Sequence, residues 1–193
     1  DLLRSLTVSP NRFALRLTAQ ALDETLLRRF AVDEDVKKVA RSRGENMPLE
    51  TERGYNTTLP LDAFDLRTQV TFGGHGFVVT RLSTGIRVGG AVELGGLKLP
   101  PNFRRSEAML EKARSFLPGL KSEGGVQWMG FRPSLPDSLP AIGRARATPA
   151  VVYAFGHGHL GLTQSAGTAR LVADLLTGRP PSIDIASFSP QRF

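Results

Sequence analysis

A glycine-rich turn near the carboxyl end of the sequence has the composition of a ligand-binding loop. It separates the apolar residues 150–155 from a segment with helical periodicity, and it reads Gly156-His157-Gly158-His159-Leu160-Gly161. Glycines let a backbone approach a flat ligand, and a helix N-terminus presents unpaired N–H groups with a partial positive charge. Such a turn suits a phosphate or an electron-rich carbonyl group. A tight strand-to-helix connection without a ligand explains the turn equally well.

A single arginine is the second candidate for chemistry. Arg132 ends the apolar and aromatic run of residues 128–131 and precedes a proline. A guanidinium group binds a carboxylate through two parallel hydrogen bonds, and a charge-assisted pair contributes about 1.5–3 kcal/mol. The sequence therefore predicts either capture of a substrate carboxylate or a salt bridge to Asp137 in the following loop, and it does not choose between them.

The histidines of the turn could form a metal site only with further ligands. His157 and His159 stand two residues apart, and His75 is the third histidine of the chain. Zinc sites usually need three or four protein ligands, and neither a cysteine nor a nearby carboxylate completes the set. We therefore expect no bound metal, and histidines that pack in the turn or contact a ligand.

The composition is that of a globular domain without covalent cross-links. The 193 residues are 40% apolar and 22% charged, and they include no cysteine, which excludes disulfides, thiolate metal sites and a cysteine nucleophile. No apolar run reaches the length of about twenty residues that a membrane helix needs. The chain opens on Asp1 without a leader sequence, so we expect a piece of a larger protein.

The net charge of +7 raises the question of an acidic partner. The basic residues are scattered along the chain, and the aromatic residues that would make a base-stacking platform do not accompany them. We expect solvated helix faces and no nucleic acid. There are two alternatives. The basic residues could form a surface that docks an acidic partner, or the protein could be a generic nucleic-acid binder.

The order of elements predicts an α+β fold. An amphipathic helix is expected between Asn11 and Phe30, and helical character continues over residues 33–43. Period-two patterns then predict strands over residues 54–59, 70–72, 76–82, 86–94, 125–131 and 150–155. A three-residue turn, 83–85, joins the third and fourth of these strands. The glycines Gly89 and Gly90 inside the fourth strand predict a bulge or a close approach of another group.

Two further helices complete the outline. The first uses Ser106 as its N-cap and buries residues 109, 110, 113, 116 and 117. The second covers residues 163–176, ends at Gly178, and turns Ala166, Leu171, Val172 and Leu176 inward, together with Ala169 and Leu175. The prediction is an antiparallel sheet with flanking helices, followed by a strand–turn–helix unit of the kind that meets cofactors.

Two long motifs resemble a known family. Residues 128–143 (Trp-Met-Gly-Phe-Arg-Pro-Ser-Leu-Pro-Asp-Ser-Leu-Pro-Ala-Ile-Gly) and 155–163 (Phe-Gly-His-Gly-His-Leu-Gly-Leu-Thr) resemble the carboxy-terminal signature of the D-amino-acid oxidase and glycine oxidase superfamily. Residues 48–56 and 188–193 match the same family, and the small subunits of bacterial D-amino-acid dehydrogenases look most similar. The resemblance implies FAD as cofactor and three regions. These are an incomplete helical segment (1–47), a substrate domain (48–130) and the carboxy-terminal part of a split FAD-binding domain (131–193).

The resemblance also implies roles for individual residues. Arg132 binds the substrate carboxylate and lies with Gly130 beside the flavin ring, while His159 tunes specificity and Tyr55 is a further candidate for the substrate pocket. The pyrimidine end of the ring is lined by Gly158, Gly161, Leu162 and Thr163. Their backbone N–H groups and the helix dipole stabilise negative charge on the reduced ring.

The implied reaction is oxidation of a D-amino acid or related amine to its imine by hydride transfer to flavin. This chemistry needs orientation more than a side-chain base, so no catalytic acid or base is assigned. Relatives begin with a strand, glycine-rich turn and helix that bind the adenosine diphosphate of FAD. We expect this part on a missing amino-terminal segment or a partner subunit, and further residues missing near 33–36.

The absence of cysteines leaves the redox compartment open, and a reducing cytoplasm is the default. We expect a cytoplasmic protein, with peripheral attachment at the inner face of the cytoplasmic membrane and oligomer formation left open. A different class of function, a non-catalytic subunit or binding module that docks an acidic partner, is the alternative.

Overall fold

The computed structural model describes residues 32–193, with the side chains of the first helix from residue 36 onward. The helix expected between Asn11 and Phe30 lies outside the described residues. Three α-helices form in the described range: α1 (Val32–Arg41), α2 (Arg104–Phe116) and α3 (Gly161–Thr177). Its seven strands are β1 (Glu50–Leu59), β2 (Val70–Phe72), β3 (Phe77–Leu82), β4 (Gly85–Leu94), β5 (Val126–Ser134), β6 (Ala141–Arg144) and β7 (Val152–Phe155).

The strands form two sheets. Five of them make one sheet in the order β2-β3-β4-β1-β5, in which β1 pairs antiparallel with β4, β4 with β3, and β3 with β2. The remaining two, β6 and β7, make an antiparallel pair. The α+β fold class predicted from the sequence is confirmed.

The described residues divide into two compact units. One comprises residues 32–51 and Arg132–Phe193, and the other comprises Glu52–Phe131. The chain passes from one unit to the other inside β1 and again inside β5, so no linker marks either boundary. The substrate and cofactor roles expected for these regions stay predictions.

The unit of residues 52–131 has its own hydrophobic core. The strands contribute Leu59, Val79, Ile86 and Val88, each at most 1% exposed, and α2 packs Ala113 against them. Alternation along β3 and β4 places these side chains on one face of the sheet, where α2 covers them. The core thus fixes α2 on the sheet.

The other unit is built around β7 and α3. All four residues of β7 are buried, and Val152 and Ala154 pack against Val172 of α3. A second cluster surrounds Leu49, Leu135 and Phe155. Because β7 is packed on both faces, the turn that follows it leaves from a rigid strand.

The inward face of α3 differs from the prediction. Leu171 and Val172 are buried as expected, but Ala166 and Leu176 are exposed. Thr168 and Asp174 occupy buried positions instead. Buried polar groups are stable only when paired. The Asp174 carboxylate meets Arg170 at 3.2 Å and Arg179 at 3.4 Å, and Thr168 bonds a histidine. Apolar periodicity could not reveal such pairs.

The predicted hairpin forms, with a shorter turn than expected. Leu82 pairs with Gly85, so the loop contains only Ser83 and Thr84. Gly85 opens β4 with a φ of 148°, and a Cβ there would lie 2.0 Å from the carbonyl oxygen of Leu59. The three-residue turn was therefore wrong by one residue, because Gly85 belongs to the strand.

The glycines inside β4 mark a bulge, as predicted. Tyr55 of β1 pairs with Ala91, and the next residue, Asn56, pairs with Gly89, so Gly90 is the extra residue. Its φ is 149°, and a Cβ there would lie 2.3 Å from the carbonyl oxygen of Gly76. Both reasons offered from the sequence, a bulge and a close approach, apply at this one residue.

Substitution of Gly90 should therefore destabilise the fold. Gly90→Ala forces a side chain into backbone atoms at a φ that L-residues rarely adopt, and we expect a loss of about 2–3 kcal/mol in the free energy of unfolding. Gly74→Ala is the matched control, since a Cβ there meets no atom within 4 Å. Urea unfolding of both variants measures the difference. Equal stability of the two variants would show that the bulge yields without strain.

The start of α2 also differs from the prediction. Ser106 is not the N-cap, because the helix begins at Arg104 and the cap position is Phe103. The Ser106 side chain is 1% exposed, and its Oγ donates to the carbonyl oxygen of Phe103 at 2.8 Å and accepts from Gln127 Nε2 at 3.0 Å. It joins α2 to β5 instead of capping the helix.

Candidate functional site

The glycine-rich turn has a defined backbone conformation, and its residues His159 and Leu160 are exposed. It leaves β7 through Gly156 (φ 80°), continues through Gly158 (φ 51°) in a 3₁₀ turn, and enters α3 at Gly161. A Cβ on Gly156 would lie 2.7 Å from Leu135 Cδ1, so glycine is required there. Within the described part of the chain no side chain caps α3. Its first N–H groups are therefore available to an electron-rich ligand.

The residues expected at the pyrimidine end of a flavin lie together at this helix start. Gly158 and Gly161 are half-buried, whereas Leu162, Thr163 and His159 are exposed. Gly158 and His159 belong to the 3₁₀ turn, and the other three open α3. They form one continuous surface on the turn, although their roles in ligand binding stay predictions.

His157 packs behind the turn as a neutral side chain. Its Nε2 lies 3.0 Å from Thr168 Oγ1, about two helical turns into α3 from Gly161. Burial lowers the pKa of His157 below its usual value, because a charged imidazole would lose its hydration. The ring therefore ties the turn to the helix without placing a positive charge there.

Arg132 belongs to the same unit as the turn. It lies near the end of β5 and is half-buried, with its Nη1 atom fully covered. The sequence offered Asp137 as an internal partner. In the structure Asp137 binds Arg192, with Nε to Oδ2 at 2.6 Å and Nη2 to Oδ1 at 3.1 Å. Its hydrogen bond from Arg192 holds the pKa of Asp137 below the usual value.

Ser134 is a residue of this site that the sequence analysis missed. It ends β5 and bridges His157 through the backbone. Its Oγ would lie 3.1 Å from a Cβ on Gly158, so the hydroxyl lines the glycine turn. Period-two alternation from Arg132 along the same strand is the signal that could have found it.

The two remaining candidates lie in the unit of residues 52–131. Tyr55 is 1% exposed, and its hydroxyl donates to Glu93 Oε2 at 2.5 Å and accepts from the Asn102 backbone N–H at 3.1 Å. Gly130 lies beneath the indole of Trp128, which a Cβ would meet at 2.0 Å. Trp128 itself is 56% exposed. Whether Tyr55 and Gly130 also contact ligands stays a prediction.

The spacing of the three turn glycines is that of the dinucleotide-binding fingerprint, G-x-G-x-x-G. That fingerprint binds a pyrophosphate when it sits in a strand–helix–strand unit with parallel strands. Here β7 pairs antiparallel with β6, and between α3 and residue 193 no further strand forms. The described residues therefore lack the parallel strand–helix–strand unit in which this fingerprint binds a pyrophosphate.

Among residues 32–193, no helix is long and apolar enough to cross a membrane. Nor does this part of the chain group three or more histidine, cysteine, aspartate or glutamate side chains where they could hold a metal ion.

Comparison with known proteins assigns the family. The model of the FAD dependent oxidoreductase family matches residues 28–175, and the chain belongs to that family. It is 44% identical over 161 residues to a D-amino-acid oxidase of Bradyrhizobium diazoefficiens, covering 81% of this chain and 38% of that protein. It is 36% identical over 164 residues to a D-amino acid dehydrogenase of Paramagnetospirillum magneticum, covering 82% of this chain and 38% of that protein.

A solved structure supports the same fold. Glycine oxidase from Geobacillus kaustophilus superimposes with a TM-score of 0.74 at 23% identity, over 84% of this chain and 44% of that one. The chain therefore spans well under half the length of the proteins that it matches. The resemblance to an oxidase and dehydrogenase family, inferred from the two motifs, is confirmed.

Proposed function

We propose that this chain supplies the flavin-ring and substrate-carboxylate contacts of an FAD-dependent oxidoreductase acting on D-amino acids or related amines. The observation that carries the proposal is the turn of residues 156–161. It leaves a buried strand, bends at two glycines with positive φ and opens on the uncapped N-terminus of α3. The names of the two relatives support the substrate class.

The residues of the turn fit the ring of FAD on structural grounds. Gly156 and Gly158 hold positive φ angles of 80° and 51°, which give the turn its sharp bend, and a buried hydroxyl, that of Ser134, lies beside Gly158. When bound, FAD would supply the hydride acceptor for an amino acid that loses its α-hydrogen as hydride and a proton from its amino group, and so becomes the imine. Water then hydrolyses the imine.

The residues of this chain contribute binding and orientation. We infer that Arg132 holds the substrate carboxylate in a bidentate pair and so directs the α-carbon. The N-terminus of α3, with the backbone of Gly161, Leu162 and Thr163, stabilises negative charge at the pyrimidine edge of the ring. Neutral His157 keeps this turn in place. His159, exposed on the turn, contacts the variable part of the substrate.

The direct test is substrate-dependent reduction of the flavin. Flavin-loaded protein is mixed anaerobically with a panel of D- and L-amino acids, and bleaching of the visible flavin band is followed. We expect bleaching by D-amino acids and release of the matching keto acid. A flavoprotein that no amino acid or amine bleaches would contradict the proposal and favour the alternative of a non-catalytic docking module.

The 193-residue chain alone should hold FAD weakly. Its first glycine is Gly44, so the sequence before α1 offers no glycine-rich turn for a diphosphate, and the only fingerprint spacing lies outside a parallel strand–helix–strand unit. We expect the purified chain to be free of stoichiometric flavin, as measured by absorbance near the flavin band. A yellow protein with one FAD per chain would prove this expectation wrong.

A further inference from the structure

The hydroxyl of Ser134 is a buried polar group of its unit that lacks a hydrogen-bond partner, as are the Thr51 hydroxyl and the Gln164 side-chain oxygen. Ser134 is 8% exposed, and its Oγ is inaccessible to solvent and makes no hydrogen bond to any of the described residues. Buried polar groups in folded proteins nearly always have a partner, and an unsatisfied hydroxyl destabilises the fold that buries it. The sequence therefore retains a costly group at this position.

The hydroxyl lines the glycine turn. A Cβ on Gly158 would lie 3.1 Å from Ser134 Oγ, and the Ser134 backbone bridges His157. Other polar side chains at the turn have partners, apart from the Gln164 Oε1 atom at the start of α3, which is also buried and unsatisfied. Nε2 of His157 meets Thr168 at 3.0 Å, and the Ser165 hydroxyl, in the first turn of α3, donates to the Leu162 carbonyl oxygen at 2.7 Å. Ser134 differs from both in having a hydroxyl that the fold leaves unsatisfied.

We propose that Ser134 is a further flavin-binding residue, whose hydroxyl donates a hydrogen bond to an electron-rich atom of the ring that the turn of residues 156–161 accepts. This inference rests on the proposed function, because the ring is that of its cofactor. An uncapped helix start and an unsatisfied donor converge on one place, and both favour a ligand edge that carries negative charge. The bond is strongest when the ring is reduced, so Ser134 favours the reduced form.

The ligand-free chain provides the first measurement. If Ser134 serves a ligand, Ser134→Ala removes an unsatisfied group and should leave the melting temperature unchanged or raised. The control, Ser165→Ala, deletes an exposed hydroxyl that is satisfied within α3, and because alanine is the better helix former the melting temperature should change little. A clear drop in the melting temperature of Ser134→Ala would assign the hydroxyl to the fold and overturn the proposal.

The second measurement uses FMN, which has the flavin ring without the adenosine half and dissolves to millimolar concentration. Titration of the full 193-residue chain, followed by quenching of flavin fluorescence, should show about tenfold weaker binding for Ser134→Ala, the equivalent of one lost hydrogen bond. Ser134→Thr keeps the hydroxyl and should restore most of the affinity and the visible spectrum of the bound ring. Ser165→Ala should bind like the wild type.

The outcomes separate the two proposals. Equal FMN affinity in the wild type and Ser134→Ala overturns the role of Ser134 and leaves the proposed function intact. No FMN binding by the wild type, at concentrations up to millimolar, overturns the ring site of the proposed function and the role of Ser134 with it.

Discussion

Replacing Arg132 with alanine in the complete, flavin-bound enzyme should reduce kcat/KM for a D-amino acid by on the order of thirty- to a thousandfold. The loss of one charge-assisted bidentate contact costs about 2–4 kcal/mol of transition-state stabilisation when the contact is largely shielded from water. Arg132→Lys should recover only part of the lost kcat/KM, since an ammonium group cannot reproduce the two parallel hydrogen bonds of the planar guanidinium. Steady-state kinetics with the flavin content measured for each variant gives the result.

Two controls separate carboxylate binding from a structural role. An amine that lacks the carboxylate of the substrate should react at similar rates with Arg132→Ala and with the wild type. Such an amine has no carboxylate for the Arg132 guanidinium to bind, so removing the guanidinium costs nothing. Asp137→Asn should leave kcat/KM almost unchanged and lower the melting temperature, because Asp137 binds Arg192 in the structure. Near-normal kinetics of Arg132→Ala with flavin bound would remove the central residue of the proposed site.

The sheet could be predicted because its signals are local. Alternation along residues 76–94 and the paired glycines Gly89 and Gly90 indicated a hairpin with an irregular second strand, and both are present. The errors have a common cause. Ser106 looks like a cap and Leu176 like a core residue only while the partners of the neighbouring polar groups are unknown. Gln127, the partner of Ser106, lies 21 residues away in the sequence, whereas Arg170 and Arg179, the partners of Asp174, are near but leave no trace in the apolar periodicity.

The candidate site was predictable to the extent that it is contiguous in sequence. The turn of residues 156–161 was singled out from its glycines as a candidate ligand-binding loop, and the structure gives it a defined backbone. The contact of Asp137 with Arg192, 55 residues away, could not be derived from spacing. Nor could the burial of the Ser134 hydroxyl, which depends on how β5 meets the turn.

A buried charge cluster in the unit of residues 52–131 explains how Tyr55 is held. Arg53 is fully buried; its Nη2 donates to the Leu99 carbonyl oxygen at 2.9 Å and its Nη1 lies 3.4 Å from Glu93 Oε2. The same carboxylate accepts the Tyr55 hydroxyl and pairs with Arg105 at 3.2 Å. These contacts, first the Tyr55 hydrogen bond and then the two arginines, hold the pKa of Glu93 below its usual value.

The two ends of the Arg53–Glu93 pair should differ in their effect on stability. Glu93→Gln leaves a buried guanidinium without its counter-charge, whereas Arg53→Met leaves a carboxylate that is 15% exposed and still bonded to Tyr55 and Arg105. We expect Arg53→Met to cost about 2 kcal/mol of unfolding free energy and Glu93→Gln to lower the melting temperature further. The double variant Arg53→Met/Glu93→Leu should regain stability, since apolar residues can replace a buried pair at little cost.

The pH dependence gives an independent check of the same cluster. A carboxylate whose pKa is lower in the folded state adds stability above its unfolded pKa, about 4.3 for glutamate, and this stability is lost as the pH falls through the folded value. The melting temperature of the wild type should therefore fall on acidification below about pH 4.3, and that of Glu93→Gln should fall less.

The variant Tyr55→Phe distinguishes a structural role of Tyr55 in this cluster from a role in substrate binding. A lower melting temperature with unchanged kcat/KM would confine Tyr55 to holding Glu93 and Asn102, whereas a raised KM at unchanged stability would assign it to the substrate pocket.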